Sequence, residues 1–248
     1  MVAKKREGAM IKTEIHDYKH DGTACEGYWA VDDAKPGKRP GILVAHEWNG
    51  LQDYVKKRCE MLAQLGYVAF APDIFGKGVR AQTFPECEKI SAPYYQDRAL
   101  TRGRARAGYD LLRQHPLVDA SKLAAIGYCF GGIVVLELAR SGAELKGVVS
   151  FHGQLSTPNP ADAKNIKGKV LILHGAIDPV VPPPEVAAFE KEMEDAKVDW
   201  QLVSYGGAVH TFTNWNLPTT GMPAAYNEKA DKRSWLAMQN FFTEIFAG

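Results

Sequence analysis

The chain opens with two stretches in which polar and apolar residues alternate. Residues 13–18 and 24–31 have this pattern and flank Asp21-Gly22. That dipeptide readily adopts the positive φ angles of a tight hairpin turn, and alternation with period two is typical of strands with one buried face. The two stretches therefore predict an antiparallel pair of strands at the N-terminal edge of a sheet.

Short, nearly continuous apolar runs follow, separated by segments with helical periodicity. The runs are residues 41–45, 67–71, 123–126, 147–151, 170–173 and 200–203. Between the runs 41–45 and 67–71, apolar residues recur at helical spacing: Val55, Cys59 and Leu62. Buried strands that alternate with helices predict an α/β fold, a mostly parallel sheet with helices on both faces. No linker-like shift in composition interrupts the pattern, so we expect a single domain over residues 1–248.

Composition and charge narrow the range of functions. Lys and Arg number 30 against 29 Asp and Glu, a formal net charge of +1, which gives no long-range attraction for nucleic acid or anionic lipid. No apolar stretch reaches the 18 residues of a membrane span, and the basic start with Lys4, Lys5 and Arg6 precedes no apolar run. We expect a cytoplasmic protein, a monomer or small homo-oligomer, that binds neither nucleic acid nor membranes.

The cysteines indicate reduced thiols rather than disulfides or a metal site. There are four in the chain, and no short spacing repeats among them: Cys25, Cys59, Cys87 and Cys129. His16 and His20 lie four residues apart, but their segment is predicted to be strand and turn and offers no third ligand. We therefore expect no metal and no cofactor.

The strongest chemical motif is Gly127-Tyr128-Cys129-Phe130-Gly131-Gly132, between an apolar run and a helical segment. A nucleophile at the tip of a strand-to-helix turn sits in strained backbone, and glycines two residues away on either side let the neighbouring chain pass close to it. The motif is that of a nucleophile elbow with cysteine in place of serine. The N-terminus of the following helix favours a thiolate at Cys129. The alternative is an inert buried cysteine in a glycine-rich turn.

Two further motifs supply a carboxylate and an imidazole in the appropriate chain order. Asp178 follows the run 170–173 and is succeeded by prolines at 182–184, which restrict the backbone beyond the acid. His210 lies after Gly206-Gly207, beyond the run 200–203. The order nucleophile, acid, base is that of the α/β-hydrolase arrangement. Alternatively, Asp178 merely begins a turn. His152 and His174 end strands, where they either line the pocket or are hydrogen-bonded structural residues.

A loop after the first parallel strand, His46-Glu47-Trp48-Asn49-Gly50, completes the candidate site. In α/β-hydrolases one backbone N–H of the oxyanion hole comes from this loop and the other from the residue after the nucleophile. Trp48 and Phe130 hold those positions. Glu47 needs a partner, because a buried carboxylate is costly to desolvate; as a surface acid it would pair with Lys56 or Lys57.

With these four motifs in this order, the sequence resembles the dienelactone hydrolase family, the cysteine members of the α/β-hydrolase fold. The resemblance spans nearly the whole chain. It implies a catalytic triad of Cys129, His210 and Asp178 that opens esters and lactones. It also implies that Glu47 hydrogen-bonds the resting thiol and helps to remove its proton.

The substrate-binding positions of the family are only partly matched. Where well-studied members hold a substrate carboxylate with two arginines, this chain has Lys77 or the shifted Arg80 and, after the histidine, Asn214. Asparagine cannot copy the paired hydrogen bonds of arginine, and lysine acts only as a point charge. Two segments are long for connections, residues 75–93 and 211–223. Aromatic residues on or next to them predict an apolar pocket instead: Phe84, Tyr94, Tyr95, Trp215 and Tyr226. Ordinary core packing of these aromatics is an equal alternative.

We therefore expect a hydrolase that cleaves an ester or lactone bond through a covalent acyl-thioester intermediate. Its substrates would be less acidic than dienelactone. The alternatives are a broad carboxylesterase or thioesterase that uses the same residues, and a non-catalytic binding protein that retains the fold.

Overall fold

A computed structural model describes residues 10–247 of the chain. The basic start with Lys4, Lys5 and Arg6 lies outside the described residues. Two compact units are distinguished, which in the described part comprise residues 10–125 and 126–247. The expectation of a single domain stays a prediction.

The first unit begins with the predicted antiparallel hairpin. Strand β1 (Ile11–His20) pairs along its full length with β2 (Thr23–Asp32), and the turn residues Asp21 and Gly22 have φ angles of 47° and 76°. Strand β2 also pairs antiparallel with β4 (Val68–Ala71), and β4 runs parallel to β3 (Arg39–Ala45). The hairpin and the beginning of the parallel sheet are thus confirmed.

Three helices belong to this unit. Helix α1 (Asp53–Gln64) packs on β2, β3 and β4, and α3 (Arg98–Gln114) contacts β3 and β4. Helix α2 (Phe84–Gln96) covers the second half of residues 75–93, which the sequence predicts to be a long connection, so that prediction is wrong from Phe84 onwards. The helix begins where Glu86 accepts hydrogen bonds from the N–H groups of Gln82 and Thr83. Pro93 inside the helix obscured the signal, since proline usually ends a helix.

The second unit continues the alternation of strands and helices. Strand β5 (Val118–Tyr128) begins before residue 126 and ends in this unit. The elements that follow it are α4 (Phe130–Arg140), β6 (Gly147–Phe151), a 3-10 helix (Pro160–Asn165), β7 (Lys169–Gly175), α5 (Pro183–Ala196), β8 (Trp200–Tyr205) and α6 (Glu228–Phe246). Strand β7 pairs in parallel with both β6 and β8. Cys129, Asp178 and His210 follow strands of this unit, at the carboxyl ends where ligands bind in open α/β sheets.

In the first unit the strands follow the order β1-β2-β4-β3, and in the second unit β7 lies between β6 and β8. Only the N-terminal strands depart from the parallel arrangement. This confirms the predicted α/β class, with an antiparallel hairpin at the N-terminus. Within residues 10–247, no helix has the length and apolarity that a membrane crossing requires.

Candidate active site

Cys129 sits at a strained turn between β5 and α4. Its φ and ψ are 54° and −115°, a conformation that L-residues rarely adopt. A side chain at Gly127 would place its Cβ 1.9 Å from the carbonyl oxygen of Gly131, so only glycine permits this tight return of the backbone. The sulfur is therefore presented at the N-terminus of α4, and Cys129 is 8% exposed.

Asp178 is held by the backbone just beyond β7. Its Oδ1 accepts hydrogen bonds from the N–H groups of Val180 (2.8 Å) and Val181 (3.3 Å). Gly175, at the end of β7, lets the segment that precedes His210 pass close by, because a Cβ there would lie 2.7 Å from the carbonyl oxygens of Ala208 and Val209. Asp178 is buried, with Oδ2 left to face the imidazole.

His210 bridges the acid and the sulfur. Its Nδ1 lies 2.8 Å from Asp178 Oδ2, and its Nε2 lies 3.1 Å from Cys129 Sγ. Because a carboxylate only accepts, Nδ1 carries a hydrogen and Nε2 faces the sulfur. All three side chains are buried. The geometry is that of a nucleophile, a base and a group that orients the base.

The charges around His210 favour its protonated form. Burial by itself would lower the pKa of the imidazolium, but the Cys129 sulfur and the Asp178 carboxylate on its two nitrogens raise the pKa to about 10. On α1, burial together with the charge of Glu60 raises the pKa of the Cys59 thiol.

The loop after β3 is ordered by His46. The N–H of Ile74 donates to His46 Nε2 (3.1 Å), so Nδ1 carries the hydrogen and donates to the carbonyl oxygen of Glu47 (2.7 Å). Burial lowers the pKa of His46 to about 4, which keeps the ring neutral. Glu47 is buried, and the ring of Trp48 packs edge-on against Phe84 at 4.8 Å. The roles predicted for Glu47 and Trp48 stay predictions.

The two cationic residues predicted to bind substrate are engaged within their own unit. Lys77 forms an exposed ion pair with Asp17. Arg80 Nη2 pairs with Glu26 at 2.7 Å, and its Nε and Nη1 donate to the carbonyl oxygens of Leu51 and Val79. These contacts give neither side chain a geometry that favours a substrate carboxylate, and their predicted binding roles gain no support.

The predicted aromatic residues differ in exposure. Phe84 is 64% exposed and Trp215 is 37% exposed. Tyr94 is buried, and its hydroxyl donates to the carbonyl oxygen of Phe75 at 3.3 Å. For Tyr94, the structure matches the alternative of core packing. A substrate role for Phe84 and Trp215 stays a prediction.

A further histidine, His152, lies beside the nucleophile, at a strand end where the sequence predicts either a pocket residue or a hydrogen-bonded structural residue. His152 follows β6 directly, and its Nδ1 lies 3.2 Å from the backbone nitrogen of Cys129. Its ring is perpendicular to that of His210, with centroids 5.7 Å apart. The available sequence signal was its position at the carboxyl end of a parallel strand, which it shares with the triad residues.

Comparisons with known proteins identify relatives of this chain. The model of the family described as the dienelactone hydrolase family matches residues 25–246. Among solved structures, a dienelactone hydrolase-like promiscuous phosphotriesterase from metagenomic libraries is 43% identical, with a TM-score of 0.91 over 96% of this chain and 99% of that chain. Protein usf of Aquifex pyrophilus is 30% identical over 206 residues, which are 81% of this chain and 87% of that protein.

A more distant structure shares the fold. The dienelactone hydrolase of Anabaena variabilis is 18% identical, with a TM-score of 0.68 over 94% of this chain and 97% of its own. At this identity the likeness concerns the course of the backbone.

Proposed function

Because this chain belongs to the dienelactone hydrolase family and is a carboxylic ester hydrolase, we propose that it cleaves ester or lactone bonds through a triad of Cys129, His210 and Asp178. One observation carries the proposal. The His210 ring lies within hydrogen-bond distance of both the Cys129 sulfur and the Asp178 carboxylate, as nucleophilic catalysis requires.

In the first step, the Cys129 thiolate attacks the carbonyl carbon of the substrate. A bond forms between Sγ and that carbon, and the carbonyl oxygen takes up the electron pair. When the tetrahedral intermediate collapses, the ester C–O bond breaks and His210 Nε2–H gives its proton to the leaving oxygen. The products are an alcohol and an acyl thioester on Cys129.

In the second step, His210 acts as a base towards water. Nε2 takes a proton while the water oxygen bonds to the acyl carbon, and the C–S bond breaks to release the carboxylic acid and restore the thiolate. Asp178 accepts from Nδ1–H throughout and stabilises the imidazolium. Its two bonds from the N–H groups of Val180 and Val181 keep it in position.

Charge that develops on the carbonyl oxygen needs nearby N–H donors. Phe130 is the first residue of α4, and amides at a helix N-terminus are suited to stabilise an oxyanion. Trp48 is the second donor predicted from the sequence. Each donor of this kind contributes about 3–4 kcal/mol to transition-state stabilisation.

The proposed substrates are uncharged or weakly charged esters and lactones. Support comes from the ion pairs that engage Lys77 and Arg80, and from the exposed rings of Phe84 and Trp215. A broad carboxylesterase or thioesterase would use the same residues. We also propose a cytoplasmic location, supported by four cysteines that form no disulfide.

Phosphotriester hydrolysis is a second candidate activity. The observation in its favour is the 43% identity to a protein named as a promiscuous phosphotriesterase, over almost the full length of both chains. The same thiolate would attack phosphorus and displace an aryloxide. The resulting thiophosphate would have to be hydrolysed for turnover.

The test is turnover by wild type, Cys129→Ala and Cys59→Ala. Substrates are an aryl acetate, dienelactone, an acyl thioester and an aryl phosphotriester. We expect Cys129→Ala to lower kcat by about 10⁴-fold or more, while Cys59→Ala keeps most of the activity. Acid-quenched wild-type protein should carry the acyl mass on the peptide that contains Cys129. Ester turnover by Cys129→Ala at the wild-type rate would refute the proposed nucleophile, and no turnover of any substrate by wild type would favour a binding protein.

A further inference from the structure

His152 is connected to the backbone of the candidate nucleophile. The N–H of Cys129 donates to His152 Nδ1 at 3.2 Å and to the carbonyl oxygen of Phe151 at 3.0 Å. Both interactions lie at the end of β6, and His152 is 1% exposed. The strained amide of the elbow is therefore fixed from outside its own turn.

The partners of His152 determine its tautomer. A backbone N–H can only donate, so Nδ1 must be the acceptor and the hydrogen of a neutral ring must be on Nε2. Nε2 lies 2.7 Å from the Thr213 hydroxyl oxygen, to which it donates. Protonation of Nδ1 would set two N–H groups against each other. The arrangement thus requires a neutral His152.

Thr213 places the other end of this connection on the segment that carries His210. That segment is also held from residues 223–227: His210 N–H donates to the carbonyl oxygen of Pro223, and Asn227 N–H donates to that of Phe212. Thr213 is fully buried. His152 therefore links the backbone of the nucleophile to the segment of the base through two hydrogen bonds.

Close packing and strain accompany this linkage. His152 has a φ of 42°, a conformation that costs about 1–3 kcal/mol and is retained where the surroundings impose it. A Cβ on the next residue, Gly153, would lie 2.6 Å from the Gly132 Cα and 3.0 Å from the Cys129 carbonyl oxygen. The end of β6 is pressed against the elbow, which leaves His152 little freedom to move.

We infer that His152 is a positioning residue, which sets the distance between Cys129 Sγ and His210 Nε2 by tying the elbow amide to Thr213. The inference rests on the proposed function, because it needs Cys129 to be the nucleophile. His152 itself exchanges no proton with the substrate. Its contribution is the alignment of the two groups that do.

Three substitutions separate the two hydrogen bonds. In His152→Asn the side-chain oxygen takes the place of Nδ1 and keeps the bond from Cys129. In His152→Gln the side-chain amide takes the place of Nε2–H and keeps the bond to Thr213. Thr213→Val removes the hydroxyl at nearly constant volume. The matched control is His115→Asn, because His115 Nδ1 also accepts a backbone N–H, that of Leu117, in the other unit.

The readouts are kcat and KM with an aryl acetate, and the alkylation rate of Cys129 by iodoacetamide without substrate. Misalignment of reacting groups by about 1 Å costs about 100-fold in rate, so we expect His152→Gln to lower kcat by about 10- to 100-fold at nearly unchanged KM. His152→Asn should recover part of this loss, and Thr213→Val should lower kcat by about 10-fold. Alkylation of Cys129 should slow in the same order. His115→Asn should resemble wild type in every readout.

Several outcomes would overturn the inference. Wild-type kcat in both His152→Gln and Thr213→Val, with Cys129→Ala inactive, would refute the positioning role and leave the proposed nucleophile intact. Equal losses in His115→Asn, or KM rising in proportion as kcat falls, would indicate general loosening instead. Ester turnover by Cys129→Ala would remove the proposed function itself. If His152→Gln does not fold, the near-isosteric Thr213→Val decides.

Discussion

Each end of α4 carries a cluster of buried polar residues, and the two clusters differ in what they can do chemically. At the C-terminal end, Arg140 is fully buried among carboxylates. At the N-terminal end, Cys129 faces His210. Both fit the helix dipole, which favours a cation at the C-terminus and an anion at the N-terminus. The two clusters differ in whether the charged group at the helix end has fixed partners on all sides.

Arg140 is compensated on all sides. Its Nε and Nη2 donate to the two oxygens of Glu192, both at 2.8 Å; Nη1 donates to Glu137 at 3.1 Å, and Nη2 also donates to the carbonyl oxygen of Leu155 at 2.9 Å. Such a planar fork holds two carboxylates in fixed positions. No proton in this cluster is easily moved, because guanidinium does not deprotonate in proteins. The cluster is built for rigidity.

Cys129 has a partner whose proton can move. The imidazole between sulfur and carboxylate has a pKa raised to about 10, yet it remains a group that can give and take a proton during a reaction. The backbone at Cys129 is strained, whereas Arg140 lies in regular helix. The comparison teaches that burial alone does not identify a reactive site. Strain, together with a partner that exchanges protons, does.

The largest expected effect comes from removing the negative charge of Asp178 beside His210. Asp178→Asn keeps an oxygen for the N–H groups of Val180 and Val181 but removes the charge that holds His210 in its tautomer. We expect kcat on an aryl acetate to fall by about 10⁴-fold, as in serine hydrolase triads, with the melting temperature little changed. A loss below about 10-fold would show that Asp178 does not orient His210.

The next largest effect comes from breaking the compensated end. Arg140→Met leaves the carboxylates of Glu137 and Glu192 buried without their cation, and removal of one partner of a buried pair costs about 3–5 kcal/mol. Urea denaturation should show this loss in the free energy of unfolding, while kcat per folded molecule stays near wild type. Lys191→Met, which removes an exposed pair with Asp195, is the control and should change little. A large loss of kcat at full folding would mean that this cluster also shapes the site.

The sequence predicted the fold well, because most of its elements have a clear periodicity. The hairpin, the parallel strands and α4 all follow local patterns that burial reinforces. Helix α2 was missed because Pro85 and Pro93 lie within it, and proline is read as a stop signal unless the cap at Glu86 is recognised. Prediction from residue type fails for α2 because the capping contact of Glu86 outweighs the presence of two prolines.

The sequence predicts those residues of the site that lie at strand ends or in recognisable motifs. Cys129, Asp178 and His210 each follow a strand, so their meeting at 2.8 Å and 3.1 Å was expected. The role of Thr213 could not be predicted, because it depends on the path of the chain after His210. The same holds for Arg80, whose bonds to Leu51 and Val79 come from loop geometry that no spacing encodes.

The smallest expected effect concerns the reactivity of two thiols, Cys129 at the N-terminus of α4 and Cys59 on α1. An ordinary thiol with a pKa of about 8.5 is only about 3% thiolate at pH 7, so a cysteine held as thiolate beside an imidazolium should be alkylated up to about 30-fold faster. Iodoacetamide should thus modify Cys129 well before Cys59, whose thiol has a raised pKa. Peptide mass spectrometry after timed quenching gives both rates. Equal, slow alkylation rates for these two cysteines would contradict the activation of Cys129 by His210.

The pH dependence of this labelling sharpens the test. In wild type His210 should stay protonated up to about pH 9, because its pKa is raised to about 10, so labelling of Cys129 should not fall between about pH 7 and about pH 9. In Asp178→Asn the missing carboxylate lowers the pKa of His210, so the imidazolium is lost at a lower pH. Labelling of Cys129 near pH 7 should then be slower than in wild type. Arg140→Met should keep the wild-type profile, because its lost charge lies at the far end of the helix; a profile like that of Asp178→Asn would show that the two ends are coupled.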